Sequence, residues 1–193
     1  MNLPNKLTML RILLIPIIIV VYVLRNYIGD LTFTIMGIIF IVASITDYFD
    51  GKIARSRKIV TTFGKFMDPL ADKLLVLGSL MMLADYYSIN QNGTLFMWLP
   101  FWIVFIILAR ELIVTSIRLV AVGEGRILHA SILGKYKTAF TMVTIIYYFF
   151  LMPLDILTLN IVGVVLISIS LILTIGSGFD YLVKNKDIIL ESI

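Results

Sequence analysis

Six runs of nearly unbroken apolar residues, spaced by short polar gaps, decide what this chain can fold into. They cover residues 10–24, 31–45, 70–83, 95–120, 138–152 and 157–175, and the gaps at 26–30, 90–93, 123–126 and 153–155 carry the turn residues. A bilayer core about 30 Å thick takes ~20 helical residues to cross. The shorter runs reach that length if their charged ends continue the helix. Of 193 residues, 60% are hydrophobic and 15% charged, too few charges to coat a globule in water. The expectation is an all-α integral membrane fold of six transmembrane helices, built as a single domain over residues 1–193. Residues 1–7 are expected to form a short interfacial helix ahead of the first span.

Charge placement sets the orientation. Fourteen of the 16 Lys and Arg residues fall at or between one set of span ends; the exceptions are Arg25, at an opposite end, and Arg110, inside the fourth run. The positive-inside rule then puts both termini and the loops after spans 2 and 4 in the cytoplasm. The opposite loops carry Asp30, Asp85 and Asp155 instead. The chain has no Cys and a single His, which excludes disulfides, thiolate metal sites and any mechanism built on two histidines. No nucleic-acid partner is expected.

The chemistry is concentrated where spans 2 and 3 meet the cytoplasm. Asp47 and Asp50 lie three apart and share a helix face, and Asp68 and Asp72 lie four apart on the next helix. Asp68 precedes Pro69, which reads as an N-cap with proline at the first helical position. Gly64 reads as the end of the link between the two helices. Four carboxylates converging without a counter-charge would repel one another and would be costly away from water. A pair of divalent cations removes both problems. Ligands that are all oxygen select hard ions, Mg²⁺ first and Mn²⁺ second.

These residues spell D-x2-D-G-x2-A-R-x8-G-x3-D-x3-D from Asp47 to Asp72, eight fixed positions in 26 residues. The stretch resembles, residue for residue, the signature of the CDP-alcohol phosphatidyltransferase family, and the six-span layout is similar to that family over nearly the whole chain. The resemblance implies that Asp47, Asp50 and Asp68 ligate a two-metal centre. It implies that Asp72 is a further ligand or neighbour and the general base. Gly51, Ala54, Arg55 and Gly64 then match positions that receive the cytidine nucleotide of CDP-diacylglycerol, with Asn5 and Thr8 of the amino-terminal block as further contacts to that donor. The resemblance also implies a homodimer.

Three further blocks bear on the acceptor: Pro4-Asn5-Lys6-Leu7-Thr8 leading to Arg11; Arg110-Glu111 with Thr115 and Arg118; and Gly134-Lys135-Tyr136-Lys137-Thr138. Together they resemble the branch of the family that uses glycerol 3-phosphate, although Thr141 stands where that branch often has Gln. The residues support the same reading. Arg110, Arg118, Lys135 and Lys137 form a candidate pocket for a phosphomonoester, and the two lysines open a helix whose free amides also favour anions. Glu111 is placed to position Arg110 or a neighbouring cation. Relatives with other acceptors, making cardiolipin, phosphatidylserine or phosphatidylinositol phosphate, share the aspartates but not the need for this pocket. A small cation transporter using the aspartates as an ion path is the reading from another class. Clustering of the carboxylates at one membrane face argues against it.

Overall fold

The computed structural model describes residues 3–56, 62–89, 99–123 and 131–186. Every regular element among them is helical: α1 (Leu3–Val23), the short α2 (Arg25–Ile28), α3 (Leu31–Ser56), α4 (Thr62–Ile89), α5 (Phe101–Gly123), α6 (Ile132–Phe150) and α7 (Leu157–Lys184). Each of the six long helices takes in most of one apolar run, and most extend past it; residues 95–98 of the fourth run lie outside the described residues. A 3-10 turn, Met152–Leu154, joins α6 to α7.

Among the described residues three helical stretches are long and apolar enough to cross a membrane: Lys6–Val23, Ile132–Leu154 and Leu157–Lys184, with mean hydropathies of 2.2, 1.4 and 2.4; Leu31–Asp47 is a shorter apolar stretch. The helices that fall short are diluted by the charges of interest, among them Asp68, Asp72 and Lys73 on α4 and Arg110, Glu111 and Arg118 on α5.

The outward face is apolar, and small polar residues join the hydrophobic core inside. Leu13, Val20, Phe105, Ile172 and Phe179 are exposed, whereas Thr141, Thr144, Ser170, Thr174 and Ser177 are buried. Lipid leaves apolar side chains no reason to hide, so helices associate through close packing and interhelical hydrogen bonds. One such bond joins the hydroxyls of Thr144 and Ser170 (3.0 Å), and Tyr147 donates to the Leu159 carbonyl (2.8 Å), both between α6 and α7. This is the construction of an integral membrane protein.

Helix α1 packs along α3 and α4, α3 against α6, and α7 against α5 and α6. Rings fill the centre: Tyr87 meets Tyr148 edge-on at 5.5 Å and stacks on Phe33 at 6.3 Å. Gly37 lets α3 approach α6 closely, because a Cβ there would lie 2.5 Å from the Phe150 ring and 3.1 Å from Phe149 Cβ. Gly29 turns the chain from α2 into α3 at φ +69°, a conformation that costs glycine little.

Three local expectations change. Residues 3–7 are the first turns of α1, not a separate interfacial helix; Pro4 fits an opening turn and no breaker follows before Leu10. Asp68 is no N-cap, since α4 begins six residues earlier at Thr62 and Pro69 lies inside the helix. Gly64 accordingly sits in the first turn of α4 and not at the end of a link. The reason is shared: packing along a neighbouring helix carries α1 and α4 through residues that local propensity reads as boundaries.

Candidate functional site

The aspartates sit where the carboxyl end of α3 and the amino end of α4 lie beside the start of α1. Asp47 forms an ion pair with Arg11 at 2.5 Å. The Arg11 side chain is fully buried, while that of Asp47 is 37% exposed and so keeps access to solvent. One turn earlier on α1, the buried Thr8 hydroxyl donates to Asp68 Oδ1 at 2.7 Å. Thr8 and Arg11 lie three apart, hence on one helix face, and they fix one carboxylate on each of two different helices.

Asp72 is one turn along α4 from Asp68. It lines a cavity of about 30 Å³ with Lys73, Glu111, Lys137, Thr138 and Thr141, enough for a water molecule and too small for a larger ligand. Asp50, Gly51, Ala54 and Arg55 lie on the α3 backbone, Gly64 on that of α4 and Asn5 on that of α1. The side-chain positions at these six sites lie outside the described residues.

The basic residues divide into two groups. Lys137 is buried and pairs with Glu111 Oε1 at 2.6 Å. Arg110 pairs with the same oxygen at 2.9 Å and also donates to Ser177 Oγ at 3.1 Å. Arg110 threads past two glycines: a Cβ on Gly178 would lie 3.0 Å from its Cγ, and one on Gly134 would lie 3.6 Å from its Nη2. Glu111 therefore ties α5 to α6, and Arg110 ties α5 to α7. The start of α6 is itself capped, with Ser131 accepting from Gly134 N at 3.0 Å. Arg118 and Lys135 stand apart from this cluster. Arg118 donates to the Tyr181 hydroxyl at 3.3 Å with its guanidinium 5.5 Å from that ring's centre, and Lys135 is exposed.

Among the described residues no three acidic side chains gather closely enough to hold a metal ion between them. The donor chemistry nevertheless suits one. The carboxylates offer only oxygen, the donor that hard divalent cations take, and Asp47 stays partly open to solvent. What the sequence did not disclose is the partner of Arg11. A cation one helical turn beyond Thr8, at the edge of an apolar run, was the available signal. Ser177 and Tyr181, inside the last apolar helix, gave none.

Against this geometry, the family model described as CDP-alcohol phosphatidyltransferase matches residues 1–176. The chain belongs to that family. Among curated relatives, the CDP-diacylglycerol–glycerol-3-phosphate 3-phosphatidyltransferase of Bacillus subtilis is 36% identical, the match covering 99% of this chain and 98% of the relative. The enzyme of the same name from Rickettsia felis is 36% identical over 93% of each chain. A probable phosphatidylglycerophosphate synthase of Mycobacterium tuberculosis is 36% identical over 95% of this chain and 81% of its own. The family's aspartate signature is thus carried by α3 and α4, and α1 holds two of its four carboxylates.

Proposed function

We propose that this protein transfers the phosphatidyl group of CDP-diacylglycerol to glycerol 3-phosphate, giving phosphatidylglycerophosphate and CMP. Relatives of that activity at nearly full length carry the reading, together with the Arg110–Glu111–Lys137 cluster set across a cavity from Asp72. Arg110 and Lys137 share the single carboxylate of Glu111, and the positive charge left over suits an acceptor that carries a phosphate.

In this reading Asp47, Asp50, Asp68 and Asp72 hold two divalent cations, Mg²⁺ before Mn²⁺. Bound there, the ions would supply positive charge for the diphosphate and for departing CMP. Gly51, Ala54, Arg55 and Gly64, with Asn5 and Thr8, receive the donor. Lys137 and Arg110 receive the acceptor's phosphate, Lys137 using the ammonium protons that Glu111 leaves over, while Arg118 and Lys135, which stand apart from them, add positive charge along its approach. Asp72 takes the proton of the glycerol 1-hydroxyl as that oxygen attacks phosphorus in line. One P–O bond forms, the bond to CMP breaks, and CMP carries away the electron pair. Thr8 and Arg11 keep the carboxylates of Asp68 and Asp47 in place, so less reorganisation is needed at the reacting centre.

The distribution of Lys and Arg and the bacterial relatives support a reading of six spans with both termini in the cytoplasm, the aspartates at the inner face and a bacterial plasma membrane. The working unit is a homodimer, a reading supported by family resemblance.

The deciding experiment is CMP release from CDP-diacylglycerol by purified protein, with and without glycerol 3-phosphate, in Mg²⁺ and then in EDTA. Release is expected to need both acceptor and metal. The Asp72→Asn variant is expected to lose it while keeping the wild-type unfolding temperature. Turnover of that variant at the wild-type rate would remove Asp72 as the base. Release with another alcohol but not with glycerol 3-phosphate would overturn the choice of acceptor.

A further inference from the structure

A second and much larger cavity, about 630 Å³, lies at the end of the bundle away from the aspartates. It opens between α2, the start of α3, the end of α4 and the turn after α6. Arg25, Asn26 and Asp30 stand among its polar lining residues, and Phe33, Phe149 and Phe150 among its aromatic ones. From Phe33 to Asp47 is 14 helical residues, so the cavity is about 20 Å from the aspartates along α3. Its size is that of a pocket for a small ligand.

The charges in this cavity are unusual for their place. Arg25 is the one basic residue that sequence reading puts at this end of the spans, where Asp30, Asp85 and Asp155 otherwise prevail. Among the described residues its guanidinium is held by a ring and a backbone carbonyl and not by a carboxylate. The carbon Cζ sits 4.4 Å from the centre of the Tyr22 ring, and Nη1 donates to the Tyr22 carbonyl at 3.3 Å. Tyr22 is in turn fixed by its hydroxyl bond to Asp85. Asp30 lines the same cavity, yet among the ion pairs of the described residues none joins it to Arg25. The rim is also built: at the Gly29 turn, both the backbone N–H and the hydroxyl of Thr32 bond the Gly29 carbonyl, at 3.1 and 2.7 Å. The exposed Tyr27 adds an aromatic side chain of the kind found at membrane interfaces.

A cation and an anion that share a cavity without pairing, beside an aromatic wall, are complementary to a molecule with a phosphate, an amine and an apolar tail. Arginine offers a fork of donors to a phosphate. The surrounding aspartates disfavour a ligand that is only anionic. We propose that this cavity binds the headgroup of a zwitterionic, amine-bearing phospholipid from the leaflet opposite the aspartates. The phosphate lies on Arg25, the ammonium at Asp30, and the upper acyl methylenes against the half-buried Phe150 and the exposed Leu154. The site is separate from the transfer chemistry and does not depend on the acceptor assigned above.

The test is native mass spectrometry of the full chain in detergent, titrated with phosphatidylethanolamine, phosphatidylglycerol or phosphatidylcholine of identical acyl chains. Saturable binding of phosphatidylethanolamine, preferred over phosphatidylglycerol, is expected. Arg25→Gln should weaken it by about tenfold or more, the loss of one charge-assisted contact. Asp30→Asn should erase the preference over phosphatidylglycerol. Both variants should release CMP as the wild type does. If Arg25→Gln fails to fold, Thr34→Trp, which fills the cavity without touching a charge, carries the same expectation of lost binding. Equal phosphatidylethanolamine affinity in the wild type and in either of these variants would overturn the proposal. So would a wild-type preference for phosphatidylglycerol. Phosphatidylcholine binding equal to phosphatidylethanolamine would remove the ammonium contact at Asp30.

Discussion

Replacing Glu111 by Gln tests the central electrostatic claim, because one carboxylate oxygen serves two buried cations. Oε1 accepts from Lys137 at 2.6 Å and from Arg110 at 2.9 Å, and the two basic side chains are only 4% and 13% exposed. Glutamine keeps the shape and one acceptor but removes the charge, leaving two cations side by side without their shared counter-ion. Breaking a single buried pair costs about 3–5 kcal/mol. Two pairs are broken here, but Glu111 is itself 20% exposed, so water relieves part of the penalty. The expected loss is therefore about 3–5 kcal/mol in total, not twice that. In a chain of this length that corresponds to a fall in Tm of roughly 6–20 °C. The assay is thermal unfolding in detergent, and a second substitution sharpens it. Lys137→Met leaves the Glu111–Arg110 pair intact and should cost less. Added to Glu111→Gln, it should recover part of the lost stability, because one of the two opposed cations is gone. A Tm for Glu111→Gln within 2 °C of wild type, or no recovery in the double variant, would refute the idea that Glu111 balances both residues.

Two other expectations follow from distances. Thr8→Val removes the 2.7 Å bond to Asp68 without changing side-chain size; it should raise the metal concentration needed for half-maximal CMP release by about 10–100-fold, as loss of a support behind a metal ligand does, and unchanged metal dependence would count against α1 as a brace for that carboxylate. Gly37→Ala must displace Phe150 or the Phe149 backbone and should cost about 1–3 kcal/mol, whereas Gly78→Ala, with open space around its Cβ, should be neutral or stabilising by up to about 1 kcal/mol on helix propensity. Thermal unfolding of the pair compares them directly.

The all-helical membrane character, the presence of six apolar segments and the aspartate motif could all be read from the residues alone. Each of these depends on local composition or spacing: a long apolar run is helical in lipid because its backbone must satisfy its own hydrogen bonds, and residues three or four apart share a face wherever the helix lies. The sequence could also point to Glu111 as a partner for a cation, because an acid beside Arg110 in an apolar run seldom lacks one. Which cations those were depends on how the helices pack. The meeting of Glu111 with Lys137 joins residues 26 apart, the Thr8–Asp68 bond joins residues 60 apart, and the Arg11–Asp47 pair joins α1 to α3. The structure also moved the boundary of α4 upstream of Asp68, against the local signal of an aspartate before a proline. Periodicity reports the face a residue occupies on its own helix, and a single sequence holds no record of which other helix that face will meet.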